Sequence, residues 1–202
     1  MPVRRLPVRP DLEQLQRQAK ELLRAIRAGD ATAIAELRER HPDPIDPSAA
    51  KLADAQLVLA RSYDASSWTR LVHAVRLVDA IWRDDADAVR ALVTGDSALL
   101  HEHVLIRRDS NWGPPMTYAA NLGRDNIIRM LHALGATDLQ SAGGRAALQG
   151  KVDTVRMIYD LAGRPSFDKP ALAGRRRSRP SPCAKTSTPP NKRRRTSDAP
   201  GG

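Results

Sequence analysis

"GPPMTYAANLGRDNIIRMLHALGA", residues 113–136, starts a helix, stops it, starts a second and stops again. Pro115 suits a first helical turn, where its missing N–H would lack an intrahelical partner and its φ is already helical. Met116 to Leu122 then makes only about two turns, and Gly123 can take the positive φ that ends a helix and reverses the chain. Ile127, Ile128, Leu131 and Leu134 follow on one face of a second helix, which Gly135 closes. Ala119 and Ala120, on the first helix, are small enough to let a neighbouring helix approach closely. The stretch is a helix–turn–helix unit.

Its skeleton is an alanine, a reversal residue four on, and a β-branched residue nine on. Ala119–Gly123–Ile128 has it, and so do Ala146–Gly150–Val155, Ala80–Asp84–Val89 and Ala25–Gly29–Ile34, with Asp84 standing where the others have glycine. The last three units lie 39 and 27 residues apart, on either side of the period of about 33 that marks one class of helical repeat.

Residues 113–136 resemble the ankyrin repeat. Pro115, Met116, Ala119, Ala120, Gly123, Ile127, Ile128, Leu131, Gly135 and Ala136 match its pattern in residue or type. The departures are Pro114 in place of the usual Thr, Thr117 in place of His, and Arg124 in place of the second His. In the family that Thr and His hydrogen-bond the turn, so this turn must be held in some other way. The unit at 146 lacks the Thr-Pro start, and the unit at 80 is looser still. The segments "LEQLQRQAKELLRAIRAGD" and "KLADAQLVLARSYDASSWTRL" resemble the leading part of a group of bacterial ankyrin-repeat proteins.

Ahead of these units, Asp11 is placed to cap a helix carrying Leu12, Leu15, Ala19, Leu22, Leu23 and Ile26, and Asp30 to cap the next. "HPDPIDPS" reads as a loop. Ser48 is expected to open a third helix, with Leu52, Leu57 and Leu59 apolar and Ala53 and Ala60 as small packing positions. "DASS" supplies the caps of a fourth, along which Trp68, Leu71, Val72, Val75 and Val78 form a stripe.

The composition agrees with helices. Only seven of 202 residues are aromatic, so the core is built from Leu, Ile, Val and Ala. A single cysteine, Cys183, rules out an intramolecular disulfide framework and a four-cysteine zinc site. No secretory signal and no apolar run long enough to span a membrane is evident, so a cytoplasmic location is expected. The net charge of +10 is uneven: from residue 164 onward 11 Lys and Arg face two acids, which leaves +1 on residues 1–163. That tail is rich in Pro, Ser and Arg and is expected to be disordered. Its clusters Arg175–Arg179 and Lys192–Arg195 offer contact to a polyanion, but no aromatics are interleaved to stack on bases.

Motifs that would carry chemistry are thin. Gly95-Asp96-Ser97 is similar to the nucleophile block of one esterase family, yet no Asp-x-x-His follows to supply a base. "VTGDS" reads instead as a helix end followed by a new cap. His101-Glu102-His103 could put two imidazoles near a metal, but zinc needs three or four converging ligands and no further His or Cys is suitably spaced. Phosphate-binding glycine loops do not occur.

The expectation is therefore an all-α chain: a helical N-terminal region (1–76), a short ankyrin-type helical solenoid (77–163) and a disordered basic tail (164–202). The resemblance implies a non-enzymatic module without cofactor or metal, a monomer that binds another protein through its turn tips and inner-helix face. The residues it points to are Asp109 at the start of a turn, Ser110, Asn111 and Trp112 at its tip, and Tyr118, Asn121 and Leu122 on the inner helix. Trp112 has two readings: an anchor for a partner, or a ring folded back over Val104, Leu105 and Ile106. Polyanion binding by the tail is the alternative function.

Overall fold

The computed structural model describes residues 4–107 and 111–163, which form nine α-helices and no strand. Helix α1 (Leu12–Arg27) begins where the Asp11 carboxylate accepts the N–H groups of Glu13 and Gln14. In the same way Asp30 caps α2 (Ala31–Arg40), Ser67 caps α4 (Trp68–Trp82) and Asp85 caps α5 (Ala86–Gly95). Each carboxylate or hydroxyl satisfies a helix N–H that has no partner within its own helix.

One start differs from expectation. Ser48 lies inside a short 3-10 turn, Pro47–Ala49, capped by Asp46, and the buried Ala50 is extended. Helix α3 (Leu52–Ser62) therefore begins later, where the Asp54 carboxylate accepts the Lys51 N–H at 2.7 Å. The later start sets which side chains face inward: Ala55, Val58 and Leu59 are buried, while Ala53 is exposed.

The remaining helices are α6 (Pro115–Leu122), α7 (Asp125–Ala133), α8 (Leu139–Leu148) and α9 (Val152–Leu161). Chain reversals between helices share one hydrogen bond. Asp30, Asp85, Arg124 and Lys151 donate their N–H to the carbonyls of Ala25, Ala80, Ala119 and Ala146, at 3.0, 3.0, 3.1 and 2.9 Å. The residue before each donor has positive φ: Gly29, Asp84 (59°), Gly123 and Gly150. This is the left-handed helix end that glycine favours and aspartate tolerates. Two reversals outside the sequence skeleton have the same bond, at Asp64 (Ala65 to Ala60) and at Gly135 (Ala136 to Leu131).

Hairpins α4/α5, α6/α7 and α8/α9 stack with first helix on first helix and second on second. α6 packs between α4 and α8, and α7 between α5 and α9. Ala80, Ala119, Ala120, Ala142 and Ala146 are at most 1% exposed, so the alanines form the seam of this stack. One continuous core runs from Leu77 on α4 to Ile158 on α9. Two smaller clusters hold α1 to α4 together. The boundary expected at residue 76 falls inside α4, which packs on α1 and α3 as well as on α5 and α6, and the described residues belong to one compact unit.

Candidate functional site

The longest connection between described helices, residues 96–114, leads from α5 into α6. It opens with Asp96, whose carboxylate caps a 3-10 turn (Ser97–Leu100) and lies 3.9 Å from His73 Nδ1. Gly95-Asp96-Ser97 is thus a helix end and a cap. Farther along, the Val104 N–H donates to the Gly113 carbonyl at 3.1 Å and so ties the two ends of this stretch together. Asp109 and Ser110, expected at the start and tip of its turn, lie outside the described residues. Asn111 is exposed beside them.

Trp112 takes the folded-back position. It is half-buried against the core that contains Val104 and Leu105, and its ring centroid sits 5.0 Å from that of Tyr118. Tyr118 and Asn121 do not form surface: they are 0% and 5% exposed. The reason is packing on several sides. With α4 and α8 flanking α6, every side chain from Pro115 to Asn121 is buried. Asn121 turns its Nδ2 to the Thr117 carbonyl at 3.0 Å, and only Leu122 is half-buried.

Tyr118 is instead the hub of an internal contact. Its hydroxyl donates to the Val8 carbonyl at 2.5 Å and accepts from Trp82 Nε1 at 2.7 Å. Burial pushes the phenol pKa up to about 12, against smaller downward effects of the Trp82 hydrogen bond and the Arg9 charge. Val8 belongs to a segment, residues 4–10, that runs without helix or strand across the stack. Its Arg9 guanidinium lies 5.4 Å from the Trp82 ring centroid, a cation–π distance, and 3.4 Å from the Asp79 carboxylate. Leu6 packs against two of the three apolar clusters. At the other end the Arg4 N–H donates to the Ser62 carbonyl at 2.7 Å, and its guanidinium pairs with the buried Glu36 at 3.0 Å. Sequence reasoning passed over this segment; the signal available was Arg4-x-x-Pro7-x-x-Pro10.

The start of α6 is held by a side chain from the next hairpin. The Asp138 carboxylate, from the turn before α8, accepts both the Thr117 N–H at 3.0 Å and the Thr117 hydroxyl at 2.5 Å. Arg124 reaches back to the Trp82 carbonyl at 2.6 Å, and the Thr154 hydroxyl back to the Asp125 carboxylate at 2.7 Å. Thr117 and Arg124 each therefore carry a bond between successive hairpins.

His101 and His103 line one cleft of about 550 Å³ with Asp64, Ser66, Arg70 and Glu102. Arg70 holds Glu102 through Nε at 2.7 Å and Nη2 at 2.5 Å. No group of three or more His, Cys, Asp or Glu among the described residues is placed to hold a metal ion. A second, more apolar cleft of about 360 Å³ lies on the last hairpin, between Gly143 and Gly144 of α8 and Val155, Ile158 and Tyr159 of α9. Among the described residues no helix is long and apolar enough to cross a membrane. Comparison with protein-family models, with curated proteins and with solved structures yields no match to this chain.

Proposed function

We propose that the chain is a protein-binding module of the ankyrin-repeat type, which presents a fixed surface and performs no chemistry of its own. The observation that carries this reading is the threefold repetition at Ala80, Ala119 and Ala146. In each case a buried alanine accepts the reversal hydrogen bond, a second helix follows, and the hairpin stacks on a neighbouring one. A stack of this kind holds its connecting loops on a stiff support, so a partner that docks on them orders little and loses little entropy in binding. The loop between α5 and α6, with Asp109, Ser110 and the exposed Asn111, is the first candidate contact, and the half-buried Leu122 at the other end of α6 is a second. Tyr118 and Asn121 act from within, as packing.

Affinity capture with the full chain tests this reading. Asn111→Arg places bulk and charge at an exposed position, so the helical fold is retained. A specific partner should be recovered with the unaltered chain and depleted with the variant. Recovery of no partner under conditions that preserve the fold overturns the proposal.

A further inference from the structure

The inner face of the stack is already occupied by a peptide, and that peptide is the chain's own residues 4–10. We infer that the channel bordered by Trp82, Trp112, Tyr118 and Asp79 is a docking site for an open segment of the form Arg-x-x-Pro-x-x-Pro, which Arg4 to Pro10 fills in cis and a partner's segment fills in exchange. This names a partner class for the binding role proposed above and rests on it.

Pro7 and Pro10 fix their own φ and bias Leu6 and Arg9, which precede them, away from the helical region. A segment so restricted has little conformational entropy left to lose, which is why proline-containing peptides dock in aromatic-lined grooves. The groove supplies matching chemistry. Tyr118 Oη donates to a backbone carbonyl, that of Val8, so this contact reads an open chain and no particular side chain. Trp82 orients that hydroxyl through its indole N–H and offers its ring face to Arg9. Asp79 provides the opposite charge.

The occupant is anchored by Arg4, Leu6 and the buried Pro10 and is looser between them. Arg5, Pro7, Val8 and Arg9 are exposed. The Arg9–Asp79 pair has side chains 57% and 42% exposed, where an ion pair contributes little. Open space borders the segment on both sides, about 250 Å³ toward Leu105 and Trp112 and about 430 Å³ toward Val75 and Asp79. An incoming segment has room to approach before the resident one leaves.

The test uses the full chain and a fluorescent peptide of sequence RRLPVRP. Pro7→Gly combined with Arg9→Ala loosens the resident segment and leaves the helices untouched. Apparent affinity scales with the fraction of time the groove stands open, so the loosened chain should bind the peptide at least about tenfold more tightly than the unaltered one. Adding Asp79→Ala to the loosened chain should weaken that binding only slightly, and a peptide with both prolines and the last arginine replaced by alanine should not bind. In the unaltered chain, excess peptide should speed amide exchange within residues 4–10. The inference is overturned if the loosened chain keeps its helical circular dichroism yet binds no better than the unaltered chain. Should the loosened chain lose its helices, absence of an exchange effect in the unaltered chain overturns it. Failure here alongside successful partner capture would sink the groove alone and leave the binding role standing.

Discussion

Asp138 sits before α8 but caps α6. Its carboxylate accepts the Thr117 N–H at 3.0 Å and the Thr117 hydroxyl at 2.5 Å, across 21 residues of chain. A negative charge at a helix start meets unpaired N–H groups and the positive end of the helix dipole. Here that charge comes from the next hairpin, so one side chain both starts a helix and joins two units.

Removing it should loosen the joint. Asp138→Ala is expected to lower stability by about 1–2 kcal/mol, the upper part of the range for a lost helix cap. Asp138→Asn keeps an acceptor and should cost less. Urea unfolding followed by circular dichroism measures both, and an unchanged midpoint for Asp138→Ala would refute the capping role.

The alanine seam makes a second prediction. Ala120 and Ala146 are completely buried in the core that joins α6 to α8. Enlarging either to leucine should cost about 1–3 kcal/mol, because packed helices must move apart to admit three more carbons. Ala53, which is exposed on α3, provides the control: Ala53→Leu should change the unfolding midpoint little.

At the reversals, Gly123 has φ of +70° and Asp64 has φ of +68°. Gly123→Ala puts a Cβ into the left-handed region, 3.3 Å from the Lys151 side chain, and should lower stability by about 1–2 kcal/mol. Asp64→Gly removes a Cβ from the same conformation and should cause no loss. Thermal unfolding of the two variants decides whether the conformation is what matters at these positions.

Tyr118 links stability to alkaline pH. Its folded pKa of about 12 lies above the usual value of 10.0, so between these limits the unfolded chain gives up a proton that the folded chain keeps. The stability contributed by the buried neutral phenol is complete below pH 10 and is lost as pH rises toward 12. Tyr118→Phe should flatten this alkaline fall while lowering stability at neutral pH by about 1–3 kcal/mol, since Trp82 Nε1 loses its acceptor. Unfolding curves at pH 8 to 11 for the two chains check the sign, and a parallel alkaline decline in both would contradict it.

The helices and their ends were legible because the forces that set them act over a few residues. Asp11, Asp30 and Ser67 cap the helices whose starts they mark, and Gly29, Asp84, Gly123 and Gly150 reverse the chain where the spacing places them. Ser48 misled because the prolines around it favour a separate short turn, and Ala53 misled because a helix that starts later turns different residues inward.

What the sequence alone determined, then, is where several of the helices begin, where the chain turns back, and which small residues mark the seam. Steric limits on φ and hydrogen bonds to nearby N–H groups decide those features locally. Only the tertiary structure decided which polar group meets which: Asp138 with Thr117, and Tyr118 with Val8 across 110 residues. It also turned Tyr118 and Asn121 from expected surface into core, and brought residues 4–10 onto the stack. Such pairings depend on how several helices pack at once, and a stripe on one helix does not reveal how many of its faces will be covered.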